Sequence, residues 1–404
     1  MRDTDRIEVV VLGGGYAGTL AALRLSRKTR GANVRITLVD GRNHLVERIR
    51  LHQEAAGQTV KGPSYAALLA GTSVRFLQGW ITGLQPERQQ VVVKTAEGER
   101  RLQYDFAIYA LGSMVETTNV PGSERYAHSL SSAETADVLR RELPAVAARG
   151  GRLLVSGGGL TGIEAASELA ETYPELQVTL LTAGTFGEQL SQRGQAHLQE
   201  AFGRLGISVV DGQQVTAVQS NHVETGDGSI VPFDLCLWAG SFRAPALARE
   251  AGLPVNGRDQ VLVDEHLRVQ GQAKIYAAGD AASLEEALSM TIRMGCVTAA
   301  PMGSYAGNHL AAQIKGEETV KPFRFRYLMR CISLGRKDGL VQFVRADDSP
   351  RERILTGWVG ARVKELVSRS SVWNVQFEGK LASLLNRNPR FRNTSGNVVA
   401  ESTS

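Results

Sequence analysis

The chain has 404 residues, 43% hydrophobic and 22% charged, the balance of a folded globular protein of two or three domains, which excludes disorder and collagen-like repeats. Its three cysteines, Cys236, Cys296 and Cys331, are odd in number and far apart, so no disulfide framework or cysteine-rich metal knuckle is expected, and no metal site is assigned. Net charge is +5 overall but +9 over residues 321–404 (16 Lys and Arg, 7 Asp and Glu), leaving −4 on the first 320 and implying an anionic partner for the tail.

Met1–Arg6 is polar and an apolar strand, Ile7–Leu12, follows at once, so no secretory leader is read and a cytoplasmic location is expected. After that strand come Gly13-Gly14-Gly15-Tyr16-Ala17-Gly18, a helix predicted over Thr19–Lys28, and a strand, Val34–Val39, that delivers Asp40. In this context the glycine spacing has a physical meaning. Gly13 permits the turn, Gly15 lets backbone approach a pyrophosphate, Gly18 lets helix pack on strand, and Asp40 can bond ribose hydroxyls. A short buried strand within Tyr104–Ser113 then ends in Ala110-Leu111-Gly112.

The same grammar returns with strand Arg152–Ser156, Gly157-Gly158-Gly159-Leu160-Thr161-Gly162, a helix over Ile163–Glu171 and a strand over Gln177–Thr182. Two such units in one chain can hold two dinucleotides and pass a hydride between them. Thr182 replaces the acid at the strand end, which leaves NADH or NADPH open. Thr161-x-x-Glu164 also fits a capping box. Phe233–Gly240 is a second short strand, closing at Gly240, and Ala273–Ala282 a third, stopping at Gly279-Asp280. There Asp280 can accept from a sugar or ribityl hydroxyl, or cap the next segment. The loop Arg293–Gly303, with Thr298 and Ala299, reads as the start of a helix. In the basic tail, Lys321–Tyr327 alternates aromatic and basic residues like an edge strand. Thr356–Ser368 predicts a helix with Val359, Val363, Leu366 and Val367 near one face, Arg362, Lys364 and Glu365 elsewhere, and Trp358 and Trp373 flanking it. A membrane surface, or packing on the body or on a second subunit as a homodimer, is expected for residues 321–392. Residues 393–404 read as a disordered end, and nucleic acid is not an expected partner.

These residues and their order, over about Ile7–Ala312, resemble the type II NADH dehydrogenase family of FAD-dependent pyridine nucleotide oxidoreductases. The resemblance implies an α/β fold with two Rossmann-like dinucleotide-binding domains. The FAD domain is discontinuous, residues 1–119 and 243–316, the NAD(P)H domain is inserted at 120–242, and residues 317–404 form a C-terminal α+β region. By that resemblance Gly13, Gly15, Tyr16, Ala17, Gly18, Asp40, Arg42, Arg48, Ile81, Ala110, Gly112, Gly279, Asp280, Thr298 and Ala299 bind FAD. Gly157, Gly159, Leu160, Thr161, Gly162, Thr182 and Gly240 hold NADH or NADPH. Glu164 beside the nicotinamide and His52 facing the flavin are the catalytic candidates. The segment Asp40–Gly57 holds no cysteine, so electrons are not expected to leave through a protein disulfide. A quinone is the first acceptor considered, on a peripheral membrane surface. Where quinone-reducing members resemble one another in an Ala-Gln-x-x-x-Gln stretch, however, this chain has Ala300 and Ser304. The alternatives are a biosynthetic or detoxifying flavin reductase with a dedicated acceptor and a slow flavin redox sensor. Cys296 is expected to be a packing thiol.

Overall fold

The computed structural model describes residues 6–288, 291–317 and 321–387. It opens with β1 (Ile7–Leu12), α1 (Tyr16–Lys28), β2 (Val34–Asp40), β3 (Val74–Gln78) and β4 (Phe106–Tyr109). The second unit follows as β5 (Arg152–Ser156), α2 (Leu160–Thr172), β6 (Gln177–Leu181), β7 (Ser208–Val210) and β8 (Leu235–Trp238). The chain continues through β9 (Gln272–Ala277), α3 (Cys296–Lys315), β10 (Met329–Ser333), β11 (Gly339–Val344), β12 (Pro350–Leu355) and α4 (Gly357–Arg387).

Val9–Leu12 are buried because β1 lies inside a parallel sheet covered on both faces, where an uninterrupted apolar run is what the packing needs. The strand order is β9-β4-β1-β2-β3, with the edge strand Arg268–Val269 antiparallel outside β9. The second sheet runs β7-β6-β5-β8, with His128–Ser129 outside β8, and all its pairings are parallel. The fold is therefore α/β with two Rossmann-type units. Each glycine-rich helix starts earlier than the apolar periodicity suggests, at Tyr16 and Leu160, because the last glycine of each loop already lies in the first turn.

The chain passes between the sheets at two neighbouring points. Met114–Val115 pairs antiparallel with Phe242–Arg243, and Arg243 reaches both Glu116, at 2.5 Å, and Asp259, at 2.7 Å. Trp238 Nε1 donates to the Glu116 carbonyl at 2.9 Å, which ties the end of β8 to the outgoing segment.

The C-terminal region departs from two expectations. Residues 321–328 form no strand. Phe323 and Tyr327 are buried instead, and the antiparallel sheet β10-β11-β12 begins at Met329. The helix does not stop at Ser368 but runs to Arg387; Val372, Val375 and Ala382 in its second half are buried, whereas the predicted stretch up to Ser368 does not turn its apolar stripe inward. Val359, Leu366 and Val367 are exposed, whereas Lys364 and Glu365 face inward to ion pairs with Glu164 (2.7 Å) and Arg50 (2.8 Å). The inner face carries small residues, Gly360, Ser368 and Gly379, so the backbone of α4 comes close to the body. A β-carbon on Gly379 would stand 2.6 Å from the Leu68 carbonyl oxygen. Buried Glu378 fixes the far end to Arg24 (2.9 Å) and Arg27 (2.6 Å) on α1. Residues 393–404 lie outside the described residues.

Candidate functional site

Each glycine-rich loop presents backbone to an open cradle. In the first, a β-carbon on Gly13 would meet the Ala110 carbonyl oxygen at 2.5 Å and one on Gly18 the Gly13 carbonyl oxygen at 1.9 Å. A β-carbon on Gly15 would meet nothing within 4 Å. The second loop repeats this: Gly157 against Ala239 at 2.3 Å, Gly162 against Gly157 at 1.9 Å, and Gly159 facing open space. Gly240 belongs to this arrangement, its N–H 3.1 Å from the Gly157 β-carbon position. Gly15 and Gly159 are the N-caps of α1 and α2, neither has a side-chain cap, and neither helix has an acid in its first turn. The unsatisfied N–H groups and the positive end of each helix dipole therefore point into space a pyrophosphate fits.

A cavity of about 320 Å³ joins the two units. Gly15, Tyr16, Ala17, Arg48, Ala110, Gly112, Gly279, Asp280 and Ala299 line it from the first unit, and Leu160, Thr161 and Glu164 from the second. His52 faces the same space. Asp280 does not cap the segment after it. One carboxylate oxygen accepts from Ser113 Oγ at 2.7 Å, and the other accepts the Gly295 N–H at 2.6 Å, drawing the start of α3 toward the cavity. The Arg48 guanidinium passes Gly112, whose β-carbon would stand 3.4 Å from Nη1. Burial lowers its pKa, with the nearby Asp280 carboxylate pulling the other way. These features fit bound FAD.

Glu164 is the centre of charge in the cavity. The capping-box alternative is not realised, since the cap of α2 is Gly159. Its carboxylate instead pairs with Lys364 Nζ at 2.7 Å and accepts the Ser333 N–H at 2.9 Å. Burial alone would push this carboxyl up, but Lys364, the nearby His52 and the Ser333 N–H outweigh it and hold the carboxyl below its usual range. Lys364 loses ground to burial and regains more from Glu164, so it stays charged. His52 is buried, its Nε2 has no hydrogen-bond partner among the described residues, and burial pulls it down to about 4, so it is neutral.

Other predicted residues lie outside the lining. Asp40 accepts the Gly14 N–H at 2.7 Å and the Arg42 N–H at 2.8 Å at the end of β2. Arg42 does not reach the cavity, because its guanidinium pairs with Glu134 at 2.7 Å and lies 5.3 Å over the Trp80 ring. Ile81 sits on the strand Trp80–Gln85, packed against the core. Thr182 occupies the space a β-carbon on Gly158 would need, at 2.4 Å. Thr298 closes the loop before α3 by donating to the Arg293 and Gly295 carbonyls, each at 2.9 Å. Ala300 and Ser304 are not among the lining residues, whereas Cys296, expected only to pack, is. Sequence reasoning also missed Met329, Arg330, Cys331 and Ser333 on β10. Lys364 was placed off the working face, although a lone cation in register with Gly360, Ser368 and Ser371 is a signal that the small-residue face is the buried one.

Two dinucleotide cradles, with one cavity between the helices they begin, define a flavoprotein of the two-unit type that exchanges electrons with a pyridine nucleotide. The family model for pyridine nucleotide-disulphide oxidoreductases matches residues 7–303, so the chain belongs to that family, and it is an FAD-dependent NAD(P)H oxidoreductase. Among curated relatives it is 27% identical over 352 residues to demethylphylloquinone reductase NdbB of Synechocystis sp., covering 83% of this chain and 86% of that one. It is 26% identical over 410 residues to a Dictyostelium discoideum protein named "Probable NADH dehydrogenase", covering 92% and 88%. Among solved structures, NDH2 from Plasmodium falciparum in complex with NADH superposes with a TM-score of 0.79 at 16% identity, over 96% of this chain and 99% of that one, a likeness of fold. Despite the family's name, the segment from Asp40 to Gly57 holds no redox cysteine.

Proposed function

We propose that this enzyme oxidises NAD(P)H and delivers the electrons to a quinone at a membrane surface, without a protein disulfide on the route. The observation that supports this reading is the shared cavity, in which the first glycine-rich cradle and the first turn of α2 meet beside Glu164 and Lys364. When bound, FAD supplies the electron chemistry, accepting a hydride from NAD(P)H and passing electrons on to the acceptor.

The chain's own residues bind and orient. Gly15 and the first turn of α1 take the FAD pyrophosphate, Arg48 adds a positive charge, and Asp40 takes the adenosine ribose. Asp280, held by Ser113 and the Gly295 N–H, takes the ribityl chain. Gly159 and the first turn of α2 take the nicotinamide nucleotide, with Glu164 beside the carboxamide. The Lys364 and Ser333 contacts keep that carboxylate ionised and fixed in position, which is where orientation contributes to rate. The apolar side chains of Met294, Val297, Met329 and Val367 in the lining suit a flat apolar ring. The relatives named for quinone reduction support this acceptor.

The outer face of α4 supports a membrane contact. Val359, Leu366, Trp373, Phe377 and Leu384 recur at helical spacing and are all exposed, Phe377 at 65% and Leu384 at 67%, with Arg362, Arg369 and Lys380 beside them. That is an apolar stripe with a basic rim, the recipe for lying in an anionic interface. Among the described residues no helix is long and apolar enough to cross a membrane. Co-sedimentation with vesicles containing anionic lipid, compared with the variant Trp373→Ser/Phe377→Ser, tests this. Binding by the parent and loss in the variant is expected, while equal binding, or a dimer that the variant dissolves, contradicts it. For the acceptor, NADH oxidation with ubiquinone-1 and menadione is the test, and flavin bleaching without quinone turnover contradicts the reading.

A further inference from the structure

We propose that Glu188 selects NADH over NADPH, its carboxylate taking the 2′-hydroxyl of the adenosine ribose that Thr182, at the end of β6, meets without an acid. Thr182 stands where Asp40 stands in the first unit, but its side chain fills the space beside Gly158. Two residues later comes Gly184, and a β-carbon there would lie 2.8 Å from one Glu188 carboxylate oxygen and 3.1 Å from the other. The carboxylate therefore folds back over the end of β6, the edge where this fold reads the ribose of a dinucleotide. The backbone fixes that position. Gly187 turns the chain at φ +75°, the Glu188 N–H donates to the Thr185 carbonyl at 3.1 Å, and the Leu190 N–H donates to the Gly187 carbonyl at 2.8 Å. Phe186 anchors the turn, buried with its ring centroid 4.7 Å from that of Phe202. Glu188 itself is exposed, and its side chain has no hydrogen bond or ion pair among the described residues, so both oxygens are open to a ligand.

The surrounding charge points the same way. Residues 153–192, which hold the second glycine loop, α2, β6 and the Glu188 turn, contain five glutamates and no lysine or arginine. Asp211, just past β7, is a second exposed carboxylate beside the turn, its Oδ2 accepting the Phe186 N–H at 3.4 Å. A guanidinium does touch the turn, that of Arg330, which donates to the Gln189 carbonyl at 2.7 Å. It is buried, however, and paired with Asp348 at 2.8 Å on the side of the central cavity. A 2′-phosphate at the end of β6 therefore meets carboxylates and no cation of its own unit, whereas a 2′-hydroxyl has in Glu188 an acceptor for its proton. Selectivity then comes from repelling one nucleotide as well as from holding the other. This inference rests on the reading of the enzyme as an NAD(P)H oxidoreductase, and not on the identity of the electron acceptor.

The test compares the two nucleotides on the full-length, flavin-loaded protein, by anaerobic flavin reduction with NADH and NADPH and by calorimetric binding of NAD+ and NADP+. NADH and NAD+ should be preferred by about tenfold or more, and Glu188→Gln, which keeps the volume and removes the charge, should cut that preference by about tenfold. Raising the ionic strength from about 0.01 to about 0.15 M should shrink the preference of the parent more than that of the variant, because the repulsion acts from an exposed group. Glu175→Gln, which removes an exposed carboxylate before the opposite end of β6, should leave the preference as it is. A parent with no preference or with a preference for NADPH overturns the proposal. So does a preference that Glu188→Gln leaves intact, or one that Glu175→Gln lowers equally. If neither nucleotide bleaches the flavin, the NAD(P)H reading falls instead, and the binding comparison still decides the role of Glu188.

Discussion

At Gly14 the missing side chain makes room for Tyr65, whose hydroxyl donates to the Gly14 carbonyl at 2.6 Å, and for Asp40, whose carboxylate takes the Gly14 N–H. At Gly158, the matching position of the second loop, the room is taken by the Thr182 side chain. The flanking glycines are interchangeable between the two loops: the same close approaches to the backbone leaving the neighbouring strand, at Ala110 after β4 and Ala239 after β8, the same bare helix N-terminus, the same open space beyond Gly15 and Gly159. The backbone cradle is thus generic to a dinucleotide. What separates the two loops is the residue delivered by the next strand, an acid in one and a neutral hydroxyl in the other. They differ too in what stands behind the helix: α1 is backed by α4 through Arg24, Arg27 and Glu378, and α2 by Lys364 and the β10–β11 turn.

The largest effect should come from filling one cradle at a time. Gly15→Val is expected to abolish FAD retention, giving colourless protein. Gly159→Val should stay yellow yet lose at least about 100-fold in the rate of flavin reduction by NAD(P)H, because the pyrophosphate can no longer approach. A yellow Gly15→Val protein would erase the distinction between the loops. Next in size is Lys364→Met, which leaves the buried Glu164 carboxylate without its partner. Urea unfolding should show a loss of about 3–5 kcal/mol, and adding Glu164→Gln should recover much of it. No loss would mean the pair is not buried together. Thr182→Glu, which makes the second loop resemble the first, should lower kcat/KM for NADPH relative to NADH by about tenfold, through repulsion of the 2′-phosphate. An unchanged ratio would move nucleotide choice elsewhere.

The smallest expected effect is on pH dependence. His52 titrates near 6.5 when unfolded and at about 4 when folded, so between those values the unfolded state binds more protons. Stability should be level in this respect above pH 6.5 and decline as pH falls from 6.5 toward 4. His309, pulled down to about 4 by burial and by His266, adds a slope of the same sign. Tm measured across this range should fall less steeply in His52→Asn, and an identical slope would argue against a buried neutral His52.

Both glycine loops, their flanking strands and Asp280 were legible because each is local: a strand, a turn and a helix written within about 35 residues, with glycine where no side chain fits. Glu164 was legible for the same reason, by its offset from the second loop. Lys364, Ser333 and the β10 lining were not, because they reach the cavity from a region far along the chain whose local pattern carries no cofactor signature. The α4 face was misjudged through the usual assumption that the apolar stripe turns inward. Here Val372, Val375, small residues and charges paired with the body make the buried face, and Leu366, Trp373 and Phe377 are left outside. Arg42 misled in the other direction: it lies next to Asp40, but Glu134 on the second unit captures it.

The proposed route takes electrons from NAD(P)H to a quinone through one flavin and no disulfide. The most direct test is anaerobic rapid mixing of the flavin-loaded protein with NADH or NADPH, followed by ubiquinone-1, while flavin absorbance is followed. Bleaching that takes up about two electrons per flavin is expected, with full recovery of the oxidised spectrum on adding quinone. Uptake of about four electrons per flavin, or a bleached flavin that ubiquinone-1 leaves reduced, would contradict it.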